Sequence, residues 1–513
     1  MADEQTVDVV VVGAGYAGVR AALAAHDAGA SVLILEKMSH PGGISVMSGG
    51  AVLCVEDEKT GREYFRHMSG GRTSDEMVAA FVSGFAGNMA DIKQLAETFN
   101  ASFLVRNRPG IYPFPGREGL NSLIITRLPG FQDFPWYPGP DSHNGVLLMA
   151  LLLFHLEARK IPVQYNTAAE QLTLDERGEI TGLTARSAGR EIRILARKAV
   201  ILASGGFEFD EWAKVQYLEA KPFYAMGSPA STGDGMRMAQ AVGARLWHMW
   251  HTHNCYGFKY DGFPMSFRHC IGGSLMTHGA RKQVRKMPWI VVDTFGRRFM
   301  NEFPPAPQDT SARPLAFFDA DLPGYPRIPC YLIFDSEGKN MEAIGDPLGY
   351  PEHFPGGQRY RWSSDNSKEV EKGWILEAPS LPELAAKIRQ MPPNKGRMEA
   401  AVLHNTVEEW NEAVLTGRDG VFNRHPETML TLKTPPFYAM EAWPILTNTQ
   451  GGPEHNVHRQ VLDVWGKVIP RLYTAGELGS FFGHIYELSG NIGECFSSGR
   501  IAGTAAAREE LRG

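Results

Sequence analysis

A chain of 513 residues, 43% hydrophobic and 21% charged, carries enough apolar material for a large core shared by two or more subdomains. Its net charge of −6, with no long run of Lys or Arg, argues against nucleic acid or an anionic membrane as the main partner, and the basic spot RKQVRK at 281–286 reads as solvated surface. Five scattered cysteines without a CxxC pair exclude a disulfide framework and an iron–sulfur or haem attachment site, which fits a reducing compartment.

The start of the chain, MADEQTVDV, is acidic and runs straight into apolar sequence, with no basic and apolar leader pattern, and no apolar run is long enough to span a bilayer. These features predict a cytoplasmic protein without an integral membrane segment. Residues 7–12, VDVVVV, then read as a fully buried parallel strand, and AGVRAALAAHDAGA at 17–30 has helical spacing. Gly13, Gly15 and Gly18 fall at the strand-to-helix turn in a GxGxxG pattern. The first permits the tight turn, the second lets a pyrophosphate approach the backbone, and the third lets helix pack on strand, with the helix N-terminus facing the anion. A second apolar strand, SVLILEK, ends in Glu36, spaced to hydrogen-bond a ribose hydroxyl.

FAD and NAD both use this fingerprint, and the next segment separates them. KMSHPGGISVMSGGAV at 37–52 is a Gly/Ser-rich loop with Gly42, Gly43, Ser45, Ser48, Gly49 and Gly50. An NAD domain has no need of it, whereas its exposed N–H and hydroxyl groups suit the pyrophosphate, ribityl chain and ring edge of a flavin. Residues 106–139 are rich in aromatics and proline without regular period, as for a loop lining an apolar pocket, with Tyr112, Trp136 and Tyr137 as its candidate polar aromatics. RKAVILASGGFEFD gives another buried strand ending at Ala203, Ser204, Gly205 and Gly206, and TGDGMRMAQAVGARL opens a helix at Asp234.

WHMWHTHNC places His248, His251, His253 and Cys255 close together, but no metal site is assigned to them. From about residue 251 to 444 the strand-and-helix texture gives way to Pro-rich, irregular sequence, which marks a second domain. Its clearest helix is GRMEAAVLHNTVEEWNEAVL, with Met398, Ala401, Val402, Val407, Trp410 and Val414 on one stripe. IPRLYTAGELGS gives a last strand ending at Glu477, and a glycine-led helix starts around residues 491–493. No second strand-coupled GxGxxG occurs, so the electrons of a bound flavin come from or go to something other than a separate NAD(P)H domain.

VVVVGAGYAG, EKMSHPGGISVMSGG, ILASGGF, STGDGMRMAQAVGA, GRRFMNE, PPFYAMEAWPILTNTQGG and LYTAGELGS…SGNIGECFSSGRIAG, in this order, resemble the flavoproteins that include soluble fumarate reductases and 3-ketosteroid dehydrogenases. The resemblance implies an α/β fold: a Rossmann-like, glutathione-reductase-type FAD-binding domain over 1–250 and 445–513, with an inserted α+β cap or substrate domain over 251–444. It implies non-covalent FAD, because the histidine that carries FAD in covalent members is missing from PGGISVMSGG, and His40 precedes it. Together with the glycine pattern it implies a cofactor site of Gly13, Gly15, Ala17, Gly18, Glu36, Lys37, Gly42, Gly43, Ser45, Ser48, Gly49, Gly50, Ala169, Ala203, Gly205, Asp234, Gly476, Glu477, Asn491 and Ile492.

Departures from the resemblance bear on the substrate. The acid arginine that follows RFxNE in fumarate reductases is missing after RRFMNE, the histidine before the cap-closing GG is replaced in LTNTQGG, and Tyr486 stands where an arginine precedes GRIAG. Tyr486 and Gly490, in YELSG, instead keep the ketosteroid dehydrogenase spacing, in which a tyrosine and a glycine N–H hold the substrate ketone. Negative charge on that oxygen as hydride moves next to an enone is what two aimed donors stabilise. The resemblance implies a second acid or base, for which Tyr112 and Tyr137 are candidates, and a substrate-contacting histidine, for which His253 is the candidate. Arg298 and Glu302 read as a structural pair.

The resulting expectation is an FAD-dependent oxidoreductase acting on a carbon–carbon bond conjugated to the carbonyl of a small apolar substrate. A quinone, a protein or oxygen would serve as separate electron partner. Two alternatives stand beside it: reduction of a small unsaturated carboxylic acid, with Arg313 or another distant arginine replacing the missing one, and a non-catalytic flavin-binding electron relay.

Overall fold

The computed structural model describes residues 3–131, 144–269, 286–304, 310–347 and 360–512. The chain divides into two compact units, one of Met1–Ala213, Gly227–Thr252 and Asn448–Gly513, the other of Lys214–Met226 and His253–Thr447.

The first unit is built on a parallel sheet. Its strands run in the order Val468–Thr474, Arg190–Leu202, Asp3–Val12, Val32–Leu35 and Val163–Gln164, each parallel to its neighbour. Val9, Val10 and Val11 are completely buried, as expected of a parallel strand covered on both faces. The register matters for function. Val12 pairs with Leu35 and with Leu202, and Leu202 with Thr474, so four strands end at one level. Ligands of open α/β sheets bind just beyond such carboxyl ends.

Helix Tyr16–Asp27 follows the first strand and packs on the last helix, Gly490–Ala507. Close approach explains the small residues at that seam: a Cβ on Gly499 would stand 2.7 Å from the Ala17 carbonyl, and one on Gly503 would strike the Ala21 carbonyl. An antiparallel sheet of Ala51–Val55, Leu120–Arg127 and Ser102–Asn107 completes the unit's functional part. Among the described residues no helix is long and apolar enough to cross a membrane.

The second unit is α+β. Ile290–Val292, Cys330–Asp335 and Phe437–Thr449 pair antiparallel, and Ile375–Ala378 pairs with the same long strand. Its long helix, Ala400–Thr416, buries Leu403, Thr406, Val407, Trp410 and Asn411. That corrects the stripe read from sequence: Ala401 is exposed and Val402 only half-buried. Trp410 sets the rotation, because its indole N–H must reach the Leu430 carbonyl at 2.8 Å. Arg298 and Glu302 form a bidentate pair at 2.8 Å in this interior, and Asp419 accepts from Arg298 at 2.9 Å. Cys54, Cys255, Cys330 and Cys495 are free thiols, while Cys270 lies outside the described residues.

Candidate active site

Beyond the carboxyl ends of the parallel strands lies a cleft with about 810 Å³ of space free of protein atoms, counting the part open to solvent. All of its lining residues belong to the first unit. The first turn supplies Val12 to Ala17, the second strand Leu35 to Lys37, the glycine loop Gly42 to Ser45, the third strand Ala203 to Gly205, and the last strand Ala475 and Glu477.

Local sterics force this shape. Gly13 has φ +104°, and a Cβ on it would meet the Ala203 backbone; a Cβ on Gly18 would strike the Gly13 carbonyl. Side-chain oxygens then fasten the turn to its neighbours. Glu36 accepts from the Ala14 N–H and the Met38 N–H, both at 2.9 Å, and Ser45 Oγ accepts from the Tyr16 N–H at 3.1 Å. Burial pushes the Glu36 carboxyl above its ordinary value, opposed by the Met38 and Ala14 amides. Lys37 Nζ donates to Thr232 and to Asp234, both at 2.6 Å, so this cation and anion are matched to each other at the cleft edge.

Two buried acids meet beside the cleft, of which Glu477 lines it. Glu208 Oε1 accepts from the Thr449 N–H at 2.7 Å, and Glu477 Oε2 accepts from Asn448 at 2.7 Å. Their Oε1 atoms both stand within 2.7 Å of where a Gly206 Cβ would be, so glycine there is what lets the two carboxyls meet. Burial, then the neighbouring Glu208, hold the Glu477 carboxyl well above the usual range. Its Oε1 is buried with no hydrogen-bond partner among the described residues. A polar atom left unused in the lining, a glycine cradle and a helix N-terminus together fit the phosphates, ribose and ring of FAD.

A second cluster surrounds Tyr486, itself 5% exposed and edge-on to Phe482 at 5.4 Å. Its neighbour Glu487 accepts from the Tyr64 hydroxyl at 2.5 Å and from the Ile111 N–H at 3.1 Å. The Tyr112 N–H donates to Tyr64 Oη at 3.2 Å, and Tyr112 stacks on Phe114 at 5.4 Å. Gly110 has no room for a side chain because the Tyr64 ring fills it. The 108–117 loop is thereby held against the segment that leads into the last helix.

Gly13, Gly15, Ala17, Glu36, Lys37, Gly42, Gly43, Ser45, Ala169, Ala203, Gly205, Asp234 and Glu477 line the cleft. The others expected there do not line it. Gly18 and Gly476 sit behind it as packing positions, a Cβ on Gly476 reaching 2.6 Å from Ala17 Cβ. Ser48 is turned back to the Ser45 carbonyl at 2.7 Å and Gly50 N–H to Ser48, while Gly49, Asn491 and Ile492 are also absent from the lining. Asn491 exchanges amide hydrogen bonds with Gln450. The Gly490 N–H, expected to hold a ketone, donates to the Glu487 carbonyl at 2.8 Å and so serves the turn. His253 is a buried residue of the second unit, on strand Thr252–Phe258. Trp136 and Tyr137 lie outside the described residues. Sequence reasoning missed Thr167, Ser228 and Ser231 in the cleft lining and Glu208, Tyr64 and Glu487 beside it; only Ser228 and Ser231 carried a signal, in the turn-rich MGSPASTGDG. Among the described residues no group of three or more His, Cys, Asp or Glu is placed to hold a metal.

Residues 8–492 match the family described as FAD binding domain. The chain is 28% identical to a 4-oxocyclohexanecarboxylate 2-dehydrogenase of Sinomonas cyclohexanicum, over 92% of this chain and 87% of that protein. It is 26% identical to a 3-oxosteroid 1-dehydrogenase of Mycobacterium tuberculosis, over 97% and 98% of the two chains. Among solved structures, the 3-ketosteroid delta1-dehydrogenase of Sterolibacterium denitrificans in complex with 1,4-androstadiene-3,17-dione has a TM-score of 0.79 at 22% identity, covering 98% of this chain and 99% of that one, a likeness of fold.

Proposed function

The chain belongs to the FAD binding domain family, and from that premise we propose that it adds or removes hydrogen across a carbon–carbon bond next to the ketone of a cyclic, largely apolar substrate. Bound FAD supplies the two-electron chemistry, taking or giving a hydride. The observation that carries the reading is Tyr486, a buried phenol four residues before helix Gly490–Ala507 and braced by Phe482. Its hydroxyl donates to the ketone oxygen and stabilises the charge that develops there; a preorganised donor of this kind is worth about 10²–10³ in rate. Tyr112, held through its N–H, is assigned the second proton transfer.

FAD is held without a covalent bond, since the glycine loop from Gly42 to Gly50 contains no histidine. The relatives that act on oxo compounds, 4-oxocyclohexanecarboxylate and 3-oxosteroids by their names, support a ketone as the activating group. The missing arginines and histidine speak against a fumarate-type reaction, in which a carboxylate is that group. Residues 1–250 and 445–513 are assigned to the cofactor and 251–444 to the substrate. The electron partner is a quinone, a protein or oxygen, and the compartment cytoplasmic.

The test is anaerobic. Reduced protein is mixed with 3-keto enones and with unsaturated dicarboxylates while the visible flavin band is followed, and the matching saturated ketones are mixed with oxidised protein. Exchange with ketones alone, lost about 10²-fold or more in Tyr486→Phe at unchanged FAD content, supports the reading. Exchange with dicarboxylates alone, or full turnover in Tyr486→Phe, overturns it.

A further inference from the structure

Arg108 is a charged side chain of the Tyr486 cluster that makes no hydrogen bond or ion pair among the described residues, and its Nη2 is buried without a partner. It follows strand Ser102–Asn107 directly, and the loop it opens is fixed: the Gly110 N–H donates to the Arg117 carbonyl at 2.8 Å and the Ile111 N–H to Glu487 at 3.1 Å. Glu487 is the acid that acts most strongly on it, and that carboxylate already accepts from Tyr64 and Ile111. Burial lowers the proton affinity of the Arg108 guanidinium, as does Arg106, while Glu487, Tyr486 and Tyr64 raise it. Arg108 as a whole is half-buried, but a buried Nη2 with no acceptor is costly unless one arrives from outside the chain.

We propose that Arg108 anchors a carboxylate of the substrate, so that the enzyme acts on cyclic keto acids in preference to neutral ketones. The inference rests on the assignment of Tyr486 to the ketone and adds the second end of the molecule. A planar guanidinium pairs with a carboxylate through two parallel hydrogen bonds, which fixes orientation as well as charge. One cation with Glu487 close by suits a single negative charge; a phosphate would bring a second charge against that carboxylate. In this arrangement the carboxylate is remote from the reacting bond and activates nothing, unlike the acid group of a fumarate-type substrate.

Two pairs of probes test it on the FAD-loaded full chain: 4-oxocyclohexanecarboxylate and its methyl ester, and 3-oxo-4-androstene-17-carboxylate and its methyl ester. Flavin reduction by each gives kcat and KM for the wild type, Arg108→Gln and Arg108→Lys, with FAD content and Tm as checks of folding. The expected result is a lower KM for the acid than for its ester in at least one pair. Arg108→Gln then raises the acid's KM about 10- to 100-fold, with kcat and the ester little changed, and Arg108→Lys restores part of the preference. Acid and ester used alike by the wild type, an acid refused where its ester is accepted, or an equal loss for both in the variants overturns the anchor and leaves the ketone reading intact. No electron exchange with any of the four probes or with the 3-keto enones overturns both.

Discussion

The Tyr64 hydroxyl donates to Glu487 at 2.5 Å across 423 positions of sequence, and the Tyr112 N–H donates to the same hydroxyl. One phenol thus ties helix Glu58–Ser69, the 108–117 loop and the segment before the last helix into one piece. Removing it as Tyr64→Phe leaves Glu487 short of a buried donor and the Tyr112 amide without its acceptor. The expected cost is about 1–3 kcal/mol of stability. Because the loop beside Tyr486 loosens, KM rises while FAD content holds. Denaturant melts and steady-state kinetics measure both, and unchanged values in each would remove the clamp from the explanation.

The glycine turn makes a sharper prediction. A Cβ at Gly18 would run into the Gly13 carbonyl, and neither backbone can yield without pulling the first helix off the strand. Gly18→Ala should therefore lose bound FAD on gel filtration and about 3–5 kcal/mol of stability. Gly420→Ala is the control, since nothing lies within 4 Å of the added atom. Retention of yellow colour by Gly18→Ala at wild-type level would contradict the packing argument.

These two predictions also divide what the sequence discloses from what it hides. The turn of Gly13, Gly15 and Gly18 is legible because strand, turn and helix are contiguous and each glycine answers a local steric demand. Glu208 is not legible: its partner Thr449 is 241 positions away, and nothing near GGFEFD shows that a second acid will be folded against it. Glu487 is hidden in the same way, its partner Tyr64 lying 423 positions away. Helix Ala400–Thr416 was legible as a helix but not in its rotation, because alanine and valine on a half-apolar surface give no sign of which neighbour the Trp410 indole must reach. The acceptor of the Gly490 N–H is illegible for a related reason: spacing to Tyr486 is local, but the acceptor depends on how the turn closes.

The Glu208–Glu477 pair predicts a stability change with pH. Burial and the adjacent acid raise the folded pKa of Glu477 above its ordinary 4.5, so its contribution is complete below that value and is lost as pH rises toward the folded pKa. Glu477→Gln keeps the shape and does not titrate, and its Tm should fall less steeply than the wild type's as pH is raised from 4.5. Parallel Tm curves would show that the carboxyl does not titrate with folding.

On the acid side the sign is reversed. His248 is 9% exposed, stacked on Trp247 at 4.2 Å, with its Nδ1 2.8 Å from the Ser480 carbonyl. Burial lowers its pKa from 6.5 to about 4, opposed by hydrogen bonds to the Ser480 carbonyl and the Arg72 backbone, with the nearby His251 and the Arg72 charge acting in the same direction as burial. A folded pKa below the unfolded one means that the unfolded chain binds the proton first. The contribution is present above pH 6.5 and is lost as pH falls toward 4, about 3 kcal/mol in all. His248 also has φ +54°, a left-handed conformation that asparagine tolerates better than most residues, so His248→Asn is the appropriate variant. Its amide can still donate to Ser480, and it does not titrate. The wild type should lose Tm steadily from pH 6.5 to 4, while His248→Asn should lose less over the same window. Some acid lability will remain in the variant, because burial also keeps His455 well below its ordinary value. Identical acid limbs for the two proteins would assign the lability elsewhere.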